Sequence, residues 1–253
     1  MNWNSVRAIL RFELNRARRT WLQSIAAPVI ATALYFVVFG SAAGSPLKVV
    51  DGVSYGSFIV PGLTLLTVLT QSISNAAFGI YMPRYSGAIY EMLSARLTPA
   101  EMILGYVGAA TLKSLILGLL VLVTARLFIP YQIVSPFWSL AILVISAITF
   151  SLIGFITGLC VDGWDRLQIM PSLVITPLIF LGGCFYSLSA LPSLWRTLSF
   201  LNPLAYVIDL FRWSFFGTSF HSFALDFTFL MVLSLLSLGM VGIILRKGYR
   251  LQL

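Results

Sequence analysis

Charge is what this sequence has least of. Only 9% of its 253 residues are Asp, Glu, Lys or Arg, against about 25% in a soluble domain. So few charges cannot cover a soluble globule, and the sequence therefore predicts an integral membrane protein. Cysteine is also scarce. Cys160 and Cys184 fall near opposite ends of successive hydrophobic runs, whereas a disulfide needs Cα atoms within about 7 Å. No bridge is expected, and two Cys with one His make no structural zinc set. Lysine occurs three times. Only Lys113-Ser114 resembles the end of a P-loop, and Leu112 stands where the motif requires Gly. No Gly-x-Ser-x-Gly elbow is present, and no loop is long enough for a nucleotide-binding domain. His221, between two Phe-containing segments, reads as an interfacial side chain rather than a catalytic base. Asp162 and Asp165 lie in a hydrophilic turn, not an intramembrane aspartyl site. The chain is expected to be no enzyme, with no catalytic or metal-ligating set.

What is abundant is apolar surface. The 59% hydrophobic content is about 150 residues, and each helical crossing takes about 20. Six crossings fit, and twelve do not. The apolar residues come in long runs rather than strict alternation, which argues against a membrane β-barrel. The net charge of +8 then sets orientation and meets lipid headgroups, and no nucleic-acid partner is expected.

Residues 1–20 do not cross. Trp3, Val6, Leu10, Leu14, Ala17 and Trp21 recur at helical spacing, with Arg7, Arg11 and Arg18 opposite and Arg16 and Arg19 at the flank. This predicts a basic amphipathic helix at the membrane interface. A signal-peptide reading, with Ser41 and Ala43 mimicking a cleavage site, fits poorly with so long and patterned a segment. Spans are expected at Trp21–Gly40, Ser57–Ile80, Thr98–Arg126, Phe137–Cys160, Leu167–Ser187 and Phe223–Leu245. Thr98-Pro99-Ala100-Glu101 has the residues of a capping box with Pro at the first helical position. The stretch Leu188–Thr218 contains Pro192, Arg196, Asn202-Pro203, Asp209 and Arg212. Pro203 divides it into two pieces, each too short to cross. They are expected to dip in from one side and return, shielded by protein.

With the N-terminus cytoplasmic, Arg7, Arg11, Arg16, Arg18, Arg19, Arg84, Arg96, Arg166, Arg246, Lys247 and Arg250 lie inside, eleven in all. Lys48, Arg126, Arg196 and Arg212 lie outside, four in all, and Lys113 falls within the third span. The bias obeys the positive-inside rule with six spans. A seventh would put the basic tail outside.

Four polar features stand out. Thr64, Thr67, Gln71 and Asn75 share one face of the second span and suit either a path for a partly polar substrate or interhelical hydrogen bonds. In the segment 85–96, Ala88, Ile89, Met92 and Leu93 group on one side, beside Glu91 and Arg96. They predict either a docking patch for a partner or packing on the chain's own N-terminal helix. Lys113 is expected to pair with another helix, to snorkel, or to meet an anionic substrate or headgroup. Asp209 and Arg212, three apart, predict a structural clamp. Gly154-x-x-x-Gly158 allows close helix approach.

The sequence resembles the permease subunit of bacterial ABC-2 type exporters over essentially its whole length. The resemblance rests on Phe58-Ile59-Val60-Pro61-Gly62-Leu63, on Gly105-Tyr106-Val107-Gly108, and on Thr176-Pro177-Leu178-Ile179-Phe180-Leu181-Gly182-Gly183-Cys184-Phe185-Tyr186-Ser187. It continues through Leu191-Pro192 and Leu201-Asn202-Pro203-Leu204 to Phe211-Arg212. Small permeases that include the nodulation-factor exporters are the most similar subgroup. The resemblance implies one all-α transmembrane domain over 1–253, with six transmembrane helices, an N-terminal interface helix, and a re-entrant helical hairpin before the last span. It implies a homodimer in a bacterial inner membrane, both termini cytoplasmic, bound to two copies of a P-loop ATPase subunit. ATP and Mg would sit on that ATPase, and this chain would bind no cofactor. Residues 84–96 would be the coupling helix, with Arg84, Ile89, Glu91, Met92, Leu93 and Arg96 meeting the ATPase. Thr64, Thr67, Gln71, Asn75, Ser172 and Thr176 would line the path. Pro192, Trp195, Asn202, Pro203, Asp209 and Arg212 would form an extracellular gate within 188–218. The expected cargo is amphipathic: a lipid-linked saccharide, a lipid or a drug. A multidrug efflux permease of the same family and a stand-alone carrier or channel are the alternatives.

Overall fold

A computed structural model describes residues 2–42, 49–50, 52–95 and 97–246. The chain is all-α, 84% helical, apart from a two-residue antiparallel ladder that pairs Val49 with Ser54 and Val50 with Val53. Lys48 and Asp51, in the expected first loop, lie outside the described residues, as do Arg96 and the tail from Lys247.

The first helix, α1 (Trp3–Arg19), is capped by the Asn2 side chain on the Asn4 N–H. A π-helical turn at Leu22–Ala26 leads into α2 (Ala27–Ala42). Pro28 lacks an N–H and its ring crowds the carbonyl four residues back, which explains the altered register there. α3 (Tyr55–Tyr85) has 31 residues, about 46 Å at 1.5 Å per residue. It runs five residues past the expected end at Ile80 and outreaches a hydrocarbon core of about 30 Å. α4 (Ala88–Ser94) is short. α5 (Pro99–Phe128) begins with the expected capping box, in which Thr98 and Glu101 bond each other's backbone N–H. α6 (Pro136–Cys160) and the last long helix, Phe223–Arg246, match the expected spans closely.

Between those two the chain is broken up. The expected fifth span, Leu167–Ser187, is a succession of short pieces: α7 (Trp164–Leu167), a π stretch at Met170–Ile175, and α8 (Thr176–Leu181). Pro171 and Pro177 each remove a backbone donor, which favours the wider register. The helix stops six residues before Ser187, at Gly182-Gly183, where Gly183 takes φ 87°, a left-handed conformation. α9 (Ser193–Phe200) and α10 (Pro203–Phe216) follow, two short helices divided at Asn202-Pro203. The last helix is α11 (Phe223–Arg246).

Among the described residues, five helices are long and apolar enough to cross a membrane: residues 22–39, α3, α5, α6 and α11. α3 is the axis of the bundle. The share of its apolar window that is buried is 83%, against 11% for residues 22–39 and 28% for α11. Its main partners are α6 and α5. The α3–α6 crossing depends on the Gly154-x-x-x-Gly158 spacing. A Cβ on Gly154 would lie 2.4 Å from the Ile73 carbonyl oxygen, and one on Gly158 would lie 2.3 Å from that of Ala77. Only hydrogen fits at either place. Among the described residues two large apolar cores result, beside a small cluster of Ala77, Tyr81 and Leu167. One surrounds the first half of α3 and includes Phe58, Leu65, Phe150, Phe211 and Phe215. The other includes Ile9, Ile80, Ile89, Met102, Tyr106, Phe155 and Val241. Cys160 and Cys184 are separate thiols.

Candidate transport site and docking face

α1 packs along α5. Val6, Ile9 and Glu13 are its buried residues, a line rotated by roughly 70° from the centre of the apolar stripe at 100° per residue. Trp3, Phe12 and Trp21 stay exposed. Glu13 is only 2% exposed and meets Lys113 Nζ at 2.8 Å and Arg16 Nη2 at 2.6 Å. Lys113 therefore pairs with another helix. Arg16 also lies over the Phe78 ring, 4.4 Å from its centroid. Burial lowers the Arg16 guanidinium from its ordinary range, and the Glu13 carboxylate opposes that shift. Two further contacts seat α1. Ile9 fits where a Cβ on Gly105 would come within 2.8 Å, and the Asn2 N–H donates to Glu101 Oε1.

The expected docking segment divides into an inner and an outer side. Arg84 is 3% exposed; it donates to the Gly158 carbonyl at 2.8 Å and lies 3.6 Å from Asp162. It staples the end of α3 to the end of α6 and is turned away from any partner-facing surface. Ile89 is buried in the core that contains Ile9, and Met92 packs at its edge, accepting from the Tyr106 hydroxyl at 3.3 Å. Ile89 is thus covered by the chain itself, N-terminal helix included, and Met92 is covered in part. Tyr85, Tyr90 and Glu91 remain exposed. Leu93 belongs to α4, with its side chain undescribed, and Arg96 lies outside the described residues. A groove of about 480 Å³ runs between α1 and α4, lined by Ser5, Phe12, Glu91, Met92, Ala95 and Tyr106 among others.

The polar stripe of α3 changes character along its length. Thr64 is fully buried and bonds the Val60 carbonyl at 2.8 Å. Thr67 meets Thr32 of α2 at 3.2 Å, an interhelical bond. Gln71 and Asn75 are half-buried, and Asn75 Nδ2 donates to the Gln71 carbonyl at 2.8 Å. Asn75 and Lys113 line a cavity of about 230 Å³ whose other walls include Leu14, Trp21, Ile25 and Ile116. It is a largely apolar chamber whose polar walls are Arg18, Ser24, Asn75 and Lys113. Ser172 is exposed and Thr176 half-buried. Both hydroxyls bond backbone carbonyls across the Pro171 break, Ser172 to Gln168 and Thr176 to Pro171.

In the segment 188–218, α10 is buried along most of its length. α9 instead presents Leu194, Trp195, Leu198 and Phe200 to the surroundings. Pro192 occupies the cap position of α9. Asn202 caps α10 through the Leu204 N–H and donates to the Leu178 carbonyl at 2.6 Å, with Pro203 as the first helical residue. Asp209 and Arg212 clamp different pieces of chain. Asp209 accepts from the Phe220 and His221 N–H groups at 3.0 and 2.8 Å. Arg212 donates to the Gly183 carbonyl at 2.7 Å and covers the Phe58 ring at 3.9 Å. Three of the stretches that carry the family resemblance, around Phe58, Gly183 and Arg212, therefore meet at one point.

Residues 4–216 match the family model described as ABC-2 type transporter. The chain belongs to the ABC-2 type transporter family. Among its relatives is the inner membrane transport permease YadH of Escherichia coli (strain K12), 38% identical over 215 residues, which are 85% of this chain and 84% of that protein. Nodulation protein J of Rhizobium leguminosarum bv. viciae is 24% identical over 218 residues, 86% of this chain and 83% of that one. Nodulation protein J of Sinorhizobium fredii is 26% identical over 192 residues, with 76% and 72% covered.

Sequence reasoning missed two groups in this ABC-2 chain. Glu13 was hidden among arginines, yet it is the acid that Lys113 requires. Asp226, in the first turn of an apolar helix, is fully buried beside His221 and Asp209. The signal in both cases was an acid on an otherwise apolar or basic stretch.

Proposed function

We propose that the chain is the membrane subunit of an ATP-driven exporter in a bacterial inner membrane, with both termini cytoplasmic. The run Trp164–Leu181 supplies a sixth crossing, bent at Pro171 and Pro177, and residues 188–218 form a re-entrant outer gate. Two copies pair, using faces such as the exposed side of α2, and two P-loop ATPase subunits hold the ATP and Mg²⁺. This chain itself carries out no hydrolysis. The observation that carries this reading is the groove between α1 and α4, with Phe12 and Glu91 on its walls and Tyr90 exposed beside it. Both walls of that groove are tied to the spans. α1 is held to α5 through Glu13–Lys113, and α4 through Ile89 in the same core. A push on the groove therefore moves α3 and α5 as one body, and α3 reaches the Arg212–Phe58 contact at its other end. Cargo with an apolar tail and an anionic or polar head suits the chamber that holds Lys113 and Asn75. A lipid, lipid-linked saccharide or amphipathic drug has that form.

A stand-alone carrier is the second reading, and the buried Glu13–Lys113 pair is the observation that favours it, since carriers use paired intramembrane charges. Purification separates the two: the exporter brings a P-loop ATPase with it. Glu91→Lys should abolish stimulation of that ATPase and transport while leaving insertion intact. Survival of both activities in Glu91→Lys would sink the coupling assignment.

A further inference from the structure

We propose that Asp209, His221 and Asp226 bind one divalent transition-metal ion, which pins the turn between α10 and α11 to the first turn of α11. His221 Nδ1 lies 3.3 Å from Asp209 Oδ2 and 3.4 Å from Asp226 Oδ1. One potential ligand atom from each residue falls within 4.8 Å of the others. A tetrahedral ion bonded to N and O at 2.0–2.2 Å sets its ligand atoms about 3.3–3.6 Å apart. The two edges at His221 already have that length.

The second observation is that the cluster is unsatisfied. Asp226 is 0% exposed, and neither of its carboxylate oxygens has a hydrogen-bond donor among the described residues. Both ring nitrogens of His221 also lack a hydrogen bond there. A buried carboxylate needs a counter-charge, and an ion between Asp226 and His221 would supply it. The ligands are also oriented in advance. Asp209 is fixed by the Phe220 and His221 N–H groups, and the His221 ring stacks on Tyr206 at 4.8 Å. The hydrogen bonds to Asp209 are of the kind that orient a metal-ligating carboxylate. One imidazole with two carboxylates suits Zn²⁺, Mn²⁺, Fe²⁺ or Co²⁺ better than a soft-metal site. A cavity of about 320 Å³ borders Asp209, Ser219 and Phe220 and gives entry for the ion and a completing water. Arg212 lines the same cavity but directs its guanidinium to Gly183 and Phe58. The competing occupant is a proton shared between the Asp209 and Asp226 carboxylates. Any effect on transport rests on the gate assignment proposed above, in which the bound ion holds α10 in place; binding itself does not.

The test uses the full-length protein, purified without a histidine tag and stripped with chelator. Co²⁺ is the probe, read by its visible absorption, with Zn²⁺ as competitor. The expected result is one equivalent of Co²⁺ in a low-symmetry N/O site, displaced by Zn²⁺. Asp226→Asn and His221→Gln should each weaken binding at least tenfold. Asp226→Asn keeps the side-chain shape and removes the buried charge, so without metal it should melt no lower than the parent. Failure of the parent protein to take up stoichiometric Co²⁺ overturns the proposal and leaves the shared proton. Equal binding by parent and both variants also overturns it. Neither outcome bears on the ATPase partner, which copurification tests separately.

Discussion

Replacing Glu13 with Ala isolates the link on which the proposed coupling depends. The change removes the one carboxylate that both Lys113 and Arg16 contact, at 2.8 and 2.6 Å. Arg16 is 25% exposed at its side chain and can turn to water, but Lys113 is 7% exposed and cannot. Breaking a buried pair by deleting one partner costs about 3–5 kcal/mol. At about 1.4 kcal/mol per factor of ten, docked α1 loses between roughly 100-fold and a few thousand-fold in relative population. A cysteine pair reports on docking. A Cβ on Gly108 would lie 3.7 Å from Leu10 Cδ2, so Leu10→Cys with Gly108→Cys places two thiols within reach of a short bifunctional reagent. Cys160 and Cys184 are changed to Ser in that background. Cross-linking should be fast in the parent and at least tenfold slower with Glu13→Ala. Glu13→Leu combined with Lys113→Leu should restore it, because an apolar pair avoids the desolvation cost that a buried ion pair carries. Cross-linking of Glu13→Ala at the parental rate, with unchanged thermal stability, would refute the idea that this pair anchors α1.

Two further outcomes follow from close helix contacts. Gly158→Leu forces side-chain atoms into the Ala77 backbone, which cannot move aside. Folded yield in detergent should collapse, whereas Gly242→Leu on α11, where nothing lies within 4 Å, should be tolerated. Gly105→Ala drives a methyl group against Ile9 and should cost about 1–3 kcal/mol by overpacking. Adding Ile9→Ala should recover part of that loss in a thermal melt, and a second-site change without recovery would deny the contact.

The long helices were legible because length and hydropathy suffice for them. α5 and α6 fall within two residues of expectation, and the Thr98 capping box forms with both of its hydrogen bonds. The broken elements were less legible. Pro171 and Pro177 lie in plain view, but hydropathy does not register a lost backbone donor, and the helix stops at Gly182-Gly183 rather than Ser187. The packed face of α1 was not legible, for a different reason. In lipid an apolar side chain gains little from choosing protein over hydrocarbon, so the apolar stripe does not mark the packed face. Glu13 marks it, and its partner is 100 residues away in sequence. For α4 the sequence left two roles open, a patch for a partner or packing on the chain's own N-terminal helix; Ile89 is buried in the core that contains Ile9, and Met92 lies between that core and the groove. The polar stripe was right as a face but mixed in role: Thr67 bonds another helix, while Asn75 opens onto a chamber.

The central claim is that an ATPase docks in the groove between α1 and α4. Photo-crosslinking from single positions tests it most directly. A photoreactive residue replaces Phe12, Tyr90 or, as control, Phe137, which is 76% exposed at the start of α6. The chain is expressed with a P-loop ATPase that copurifies with it, and adducts are resolved by mass. The account predicts adducts from positions 12 and 90 and none from 137. Adducts from 137 alone, or from none of the three with an ATPase that copurifies, would contradict it.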